Sequence, residues 1–543
     1  MNRTISAVIV LITFALIGCG NSPGSAHKPG TSPTHIQWFE GEVNAAFAEA
    51  KDEGKPIFLY WGAEWCPPCH NLKINIFTRP EFIEAIQRFV PVYLDGDSQR
   101  AQLWAEKYKI AGYPTVILFS PTGVELFRMP SDVTVDQYGT LLQAAISDFR
   151  PVHQILDEVV ASGPRAASKL DLELIAYHSW TQDPHAKLSN AQALEVFWQL
   201  YSELPAESVQ LRARFMTLAL EQAMPTVWSA QPESEGSLAT LDDKQMDSLR
   251  SGLVSLLSSP DLWPENKIFL TLQSRRAIEC LEPAPSPSRD DLVESWLSVA
   301  SEMQNHPEFS DTEQLMAFVP EFELLSLQRG QNGESIPSTL QDKVRTRVDV
   351  IVADSSNPGE FQSTLNMLAW LLTMAELQGE AGALLNRHMN QTAAPHYFLS
   401  LLGDLTADDP ETALEWHRLA FERSGQGSAR VKWGSAYVLK LIQLAPEDAD
   451  AIEAASRELI GEFVSSDDAF AGRNHTYLQP VDHALAAWAE ATGNEVVIDR
   501  LRLEVRQQCN RFKDALGASQ YERCMAFLGS DATSPEQTVR NMQ

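Results

Sequence analysis

The stretch that decides the fold is Trp65-Cys66-Pro67-Pro68-Cys69-His70, preceded by the apolar run Pro56-Ile57-Phe58-Leu59-Tyr60-Trp61. Read locally, it is a buried strand, a tight bend and a helix that starts at the cysteines. A helix N-terminus offers partial positive charge and free N–H groups, which stabilise a thiolate on Cys66. Cys69 lies one turn further in and can attack a mixed disulfide formed by Cys66. Pro67 suits the first helical turn, where a backbone N–H has no partner anyway. The pair alone leaves three readings open: a redox couple, an inert structural disulfide, or half a zinc site. Zinc would need two more ligands, and His70 adds only one, with no second close Cys/His pair nearby. The balance favours redox chemistry at Cys66 and Cys69, with no metal and no cofactor.

Working outward, Gly54-Lys55-Pro56 leads into the strand Ile57–Trp61, and Ala63-Glu64-Trp65 into the cysteines. A second strand-like run, Val90–Asp95, follows, then Gly112-Tyr113-Pro114-Thr115, the run Val116–Phe119, the turn Pro121-Thr122-Gly123 and the run Val124–Phe127. This set resembles the thioredoxin-like C-terminal domain of periplasmic reductases of the DsbD type. Residues 36–150, about a fifth of the chain, are accordingly read as a thioredoxin-fold domain. In that family the proline matching Pro114 is cis, lies against the active-site disulfide and presents the preceding backbone to a substrate strand. The resemblance therefore implies substrate contacts at Trp65, Pro67, Tyr113 and Pro114. Two positions depart from thioredoxins proper. A buried Asp and a nearby Lys are replaced here by Tyr60 and Pro91, so the acid that helps deprotonate the second cysteine is missing.

Residues 1–18 read as a targeting segment, with Arg3 giving a positive start and Ile5–Ile17 an apolar core too short for a comfortable membrane span. It ends in Leu16-Ile17-Gly18-Cys19, which resembles the bacterial lipobox. That resemblance implies cleavage before Cys19 and lipid on its sulfur, giving a stable membrane anchor. Asn21 and Gly20 follow rather than Asp, which leans toward the outer membrane. Residues 19–35 are rich in Gly, Ser, Pro and Thr and read as a flexible tether. Export makes disulfide chemistry available.

Within the first domain, apolar spacing predicts a helix over 36–54, another beginning at Arg79-Pro80-Glu81, one through Leu103–Ile110, and a closing helix through Leu141–Ile146. Strands alternating with helices imply an α/β sheet with covered faces. From Pro151 the texture changes to helical periodicity, as in Val481, Ala484, Leu485 and Trp488. Residues 151–543 are read as a large all-α domain of helical hairpins, with the Pro/Ser stretch 283–287 dividing two lobes near 282–290. Pro410 and Pro446 each open a tetratricopeptide-type helix and lie 36 residues apart. A solenoid of hairpins and an irregular helical domain both fit.

The chain of 543 residues carries a formal net charge of −30. The first 35 residues contribute +2 and residues 36–150 contribute −5, leaving −27 on the helical region. Such a surface repels nucleic acid and anionic lipid headgroups and stays soluble or meets basic partners.

Cys509 and Cys524 flank Gly517, which reads as a turn between two helices. Both fall on apolar faces, so a structural disulfide is expected between them. Cys280 has no obvious partner and reads as a buried thiol. Two functions remain. The first is a lipid-anchored thiol–disulfide oxidoreductase acting on periplasmic thiol or disulfide proteins. The second is a scaffold whose helical region recruits a protein partner.

Overall fold

The computed structural model describes residues 35–529 apart from 64–65, 132, 187, 225–238, 330–334, 355–357, 393, 426, 463–467, 512 and 515–516. The leader, Cys19, nearly all of the tether, and Trp65 lie outside the described residues.

Four strands form one mixed sheet: β1 (Ile57–Gly62), β2 (Val90–Asp95), β3 (Thr115–Phe119) and β4 (Glu125–Met129), in the order β2-β1-β3-β4. β1 runs parallel to β2, with Ile57 opposite Val90, and antiparallel to β3, with Ile57 opposite Phe119. β3 and β4 are antiparallel neighbours. A parallel pair needs a crossover, which α2 (Pro67–Asn71) and α3 (Pro80–Ile86) supply between β1 and β2. The unbroken apolar run of β1 is explained by its position: both of its faces are buried. Ile57, Leu59 and Trp61 enter one core with α1 (Val43–Glu53) and α4 (Gln99–Tyr108). Phe58 and Tyr60 enter the other, with α3 and α5 (Val135–Ala145).

The expected helix over 36–54 begins only at Val43. Residues 36–40 have no regular secondary structure, and the Phe39 N–H donates to Pro91 O of β2 at 2.7 Å. Gly41, at a φ of 145°, separates this segment from the helix. Trp38 then packs on Tyr60, Tyr93 and Phe77, so its spacing served a strand-side aromatic cluster rather than a helix face.

Among the described residues from 152 onward the regular elements are helices, giving an α/β sheet followed by an all-α region. The Pro/Ser stretch 283–287 does not separate two cores. Leu253 and Leu281 before it share one apolar cluster with Val293 and Trp296 after it, and with Phe58 of the sheet. A second cluster runs from Leu315 to Trp433 and a third from Val431 to Leu528. The cores therefore change over near 315–324 and again near 431–433, where hydrophobic residues of one helix face different neighbours.

Two helices from the second half of the chain return to the sheet domain. Helix Gly472–Thr492 packs on α4, and helix Pro358–Met374 packs on α2.

Candidate functional site

Cys66 is the N-cap of α2 and is joined to Cys69 by a disulfide with Cα atoms 5.2 Å apart. The Cys66 sulfur also accepts the Cys69 N–H at 3.3 Å. This is the capping position at which orphan N–H groups favour a negatively charged side chain. Pro67 occupies the first turn. A widened, π-helical turn, Leu72–Ile76, continues directly from α2. Both cysteines are nearly closed off, at 2% and 0% exposure. Their apolar neighbours are Ala63 and Tyr113.

The Tyr113–Pro114 peptide bond is cis, and Tyr113 is the side chain that meets the cysteines. Its hydroxyl donates to Gly96 O at 3.1 Å and accepts from Gln102 Nε2 at 3.0 Å. Gly96 is required beneath this ring, because a Cβ there would sit 2.3 Å from Tyr113 Cε2. On the far side of the loop, Gln182 of the helical region braces the proline. Its Nε2 donates to Pro114 O at 3.3 Å, and its Oε1 lies 3.1 Å from the Thr115 hydroxyl. Arg128, fully buried on β4, fixes that brace by donating to Gln182 O, to Tyr108 O and to Glu125.

The position of the usual buried acid is filled by Tyr60, which stacks on Tyr93 at 5.3 Å and meets Phe77 edge-on at 5.1 Å. Aromatic burial replaces a carboxylate behind the couple.

A buried cluster of His153, His178 and Asp183 stands beside Arg128. Both imidazole Nε2 atoms lie 2.7 Å from Asp183 Oδ2. The Arg128 backbone N–H donates to His178 Nδ1 at 3.2 Å, which fixes the proton on His178 Nε2. That nitrogen donates to Asp183 and has no lone pair left for a cation. Burial opposes ionisation of Asp183, yet the hydrogen bonds from His153 and His178 hold its carboxyl well below the usual range. Burial also pushes the His178 imidazolium down, keeping the ring neutral. The cluster is a polar joint between the sheet and the helices.

The structure brings Cys66, Cys69 and Tyr113 together, with Pro114 following Tyr113 through a cis bond, and places Pro67 in the adjoining turn. Cys509 and Cys524 are joined by a second disulfide, Cα atoms 5.9 Å apart, in the third core. Cys280 is a free, half-buried thiol whose acidity burial lowers. Sequence reasoning missed Gln102, Gln182, Gly96 and Arg473. The Arg473 guanidinium lies 4.7 Å over the Tyr113 ring, and the Arg473 backbone N–H donates to Gln102 Oε1 at 2.9 Å. No local pattern marks these residues, because their partners lie as far as 371 positions away.

Comparison with known proteins returns the same domain. The family described as "Thioredoxin-like domain" matches residues 43–146. Thiol:disulfide interchange protein DsbD 1 of Pseudomonas aeruginosa is 30% identical over 118 residues, 20% of this chain and 19% of that protein. A thioredoxin H-type protein of Oryza sativa subsp. indica is 34% identical over 103 residues, covering 19% of this chain and 79% of the relative. A solved chain named DsbH Oxidoreductase aligns at 20% identity over 24% of this chain and 96% of that one, with a TM-score of 0.20. The chain spans about a fifth of the length of the DsbD proteins it matches.

Proposed function

Through residues 43–146 this chain belongs to the thioredoxin-like family, and on that premise we propose that it is a thiol–disulfide oxidoreductase working through Cys66 and Cys69. The observation that carries the reading is the Cys66–Cys69 disulfide at a helix cap, with Tyr113 against it and a cis bond from Tyr113 to Pro114. In the reduced protein the Cys66 thiolate attacks one sulfur of a substrate disulfide. A mixed disulfide forms and the first substrate thiolate leaves. The Cys69 thiolate then attacks the Cys66 sulfur, re-forming the Cys66–Cys69 bond and releasing the second substrate thiolate. Two electrons pass from the couple to the substrate, and the sequence runs backward when the substrate's potential is the lower. Pro67, Trp65, Tyr113 and Pro114 are the proposed substrate contacts.

The proposed organisation is a leader, 1–18, a tether, 19–35, a thioredoxin-like domain, 36–150, and a helical region, 151–543. Its proposed place is the periplasmic side of a bacterial envelope, held by lipid on Cys19, with the outer membrane favoured. The leader pattern supports this, and no helix among the described residues is long and apolar enough to cross a membrane. Periplasmic thiol or disulfide proteins are the proposed partners. A processed Cys19→Ser protein that still fractionates with membranes would overturn the anchor.

The direct test of the chemistry is trapping. Cys69→Ser should accumulate mixed disulfides with envelope proteins, because the resolving thiol is gone, whereas Cys66→Ser should trap none. Equal trapping by Cys66→Ser would reverse the assigned roles. A second reading, a partner-binding scaffold, draws on the closure of Cys66 to 2% exposure. It gains if neither variant traps anything.

A further inference from the structure

The loop that brings Tyr113 to the cysteines is held at two points, and only one of them lies within residues 43–146. At one end the Tyr113 hydroxyl donates to Gly96 O and accepts from Gln102 Nε2, both in the sheet domain. At the other end the support comes from the helical region. Gln182 ends a short 3-10 turn, Trp180–Gln182. Its Nε2 donates to Pro114 O at 3.3 Å, and its Oε1 lies 3.1 Å from the Thr115 hydroxyl. That hydroxyl also lies 2.8 Å from Gly112 O, so it ties the last residue of the loop to its first. One amide thus grips the loop where it enters β3. The turn bearing Gln182 is itself fixed from both sides. The Ser179 N–H donates to Arg128 O at 3.1 Å, and the Arg128 guanidinium donates to Gln182 O. Next in the chain is Asp183, 7% exposed. Its carboxylate lies 2.7 Å from both His153 Nε2 and His178 Nε2 and accepts the His185 N–H at 2.8 Å. Trp180 meets His178 edge-on at 4.6 Å, and its Nε1–H donates to Ile175 O at 3.0 Å. A fully buried arginine and a buried aspartate are costly to keep. Here both hold one three-residue turn in place.

We infer that Gln182 is a positioning residue for disulfide exchange, holding the Gly112–Thr115 loop in the shape that receives a polypeptide substrate beside the Cys66–Cys69 couple. The inference rests on the oxidoreductase reading and gives the helical region a part in it. A plain tie between sheet and helices is the poorer account. Apolar packing already supplies that tie, since Phe58 of β1 shares one cluster with Leu253 and Trp296 of the helices. An amide aimed at one carbonyl and one hydroxyl adds little to such a cluster, but it does fix a loop. Without the grip, the incoming chain would have to order the loop as it binds, which weakens binding. The contacts between loop and substrate serve the ground state and the transition state alike. The loss therefore falls on KM and spares the sulfur chemistry.

The test uses the full chain and two probes. Insulin presents its disulfides on a polypeptide that can lie along the loop, and bis(2-hydroxyethyl) disulfide has no polypeptide to place there. In each turnover the reduced couple gives two electrons to the probe, whose S–S bond breaks as the Cys66–Cys69 bond forms. Dithiothreitol then reduces the couple again by closing its own ring disulfide, and its direct reaction with each probe is subtracted. Gln182→Met keeps the side-chain volume and removes both contacts. It should raise the KM for insulin about three- to tenfold, the worth of one or two hydrogen bonds, and leave kcat within about twofold. Turnover of the small probe and alkylation of reduced Cys66 by iodoacetamide should also stay within about twofold. Gln182→Glu keeps an acceptor for Thr115 and loses the donor to Pro114. It should move KM the same way, and it carries the test alone if Gln182→Met does not fold. An unchanged insulin KM, a fall in kcat alone, or an equal fall with both probes overturns the positioning role. So does failure of both variants to fold, which would make Gln182 a structural tie. A wild type that turns over the small probe and not insulin overturns it as well. A wild type inert toward both probes overturns the exchange reading itself, and this inference with it.

Discussion

The two disulfides of the described chain are equally hidden and differently built. Cys66 and Cys69 are 2% and 0% exposed, and Cys509 and Cys524 are 1% and 2%. Burial therefore does not sort the bridge proposed to exchange from the one proposed to clasp. Surroundings do. Cys509 and Cys524 sit in an apolar core with Leu501, Val505 and Phe527, clasping two consecutive helices. Cys66 instead caps a helix, accepts an N–H and faces a tyrosine held by hydrogen bonds beside a cis-proline. One bridge closes a span of 15 residues and the other a span of 3. A bridge that constrains the unfolded chain needs a long loop, whereas one that exchanges needs a stabilised leaving thiolate.

That contrast can be broken most sharply by kinetics. Cys66→Ser should lower disulfide exchange by at least about a thousandfold, since the attacking sulfur is gone. Cys509→Ala with Cys524→Ala should leave the same rate within about twofold. Abolished turnover with normal stability in that double variant would make the second bridge a relay rather than a clasp.

Denaturant unfolding reads the other side of the comparison. Losing the Cys509–Cys524 bridge should cost about 3 kcal/mol, as expected for a loop of about 15 residues. Opening Cys66–Cys69 should cost about 1 kcal/mol less, because so short a loop restricts the unfolded chain less. Equal losses would erase the distinction.

Acid should separate the two neighbourhoods. His396, near Lys432, is held down to about 4, chiefly by burial and then by the lysine charge. Folding thus favours the neutral ring, so its contribution is present above pH about 6.5 and lost as pH falls toward 4. With solvent screening allowed for, the loss is about 1 kcal/mol. His396→Gln should flatten the unfolding midpoint across that window, while the helices around Cys509 stay unaffected. An unchanged pH profile would remove His396 from the account. The smallest effect belongs to Cys280→Ser, which should shift stability and exchange by less than about 0.5 kcal/mol, as unfolding curves and rates would show.

What the sequence displayed was whatever local pattern encodes. The buried run of β1, the cysteine pair and the Tyr113-Pro114 loop were legible because strand burial, helix capping and turn chemistry act over a few residues. The start of α1 was misjudged because Ile36, Trp38 and Phe39 are apolar for sheet-side reasons. The division at 283–287 failed for a related cause: Pro and Ser end helices, but only packing decides whether cores separate, and Trp296 joins them. Arg473 over Tyr113 and Gln182 on Pro114 were invisible, since nothing in either segment names its distant partner.

The bond from Gly472 N–H to Glu106 joins residues 366 positions apart. Contacts of such sequence separation form late, after the entropy of a very long loop has been overcome. Synthesis adds a second delay. At about 5–20 residues per second, the stretch from residue 146 to residue 472 takes roughly 16–65 seconds to make. During that interval a nascent chain already carries the residues of its sheet, its cysteine pair and Tyr113, while the helix whose Arg473 lies over Tyr113 has yet to be made. The cover over Tyr113 is thus among the last parts of the molecule to be made, and closing it over the proposed redox couple falls to the end of assembly.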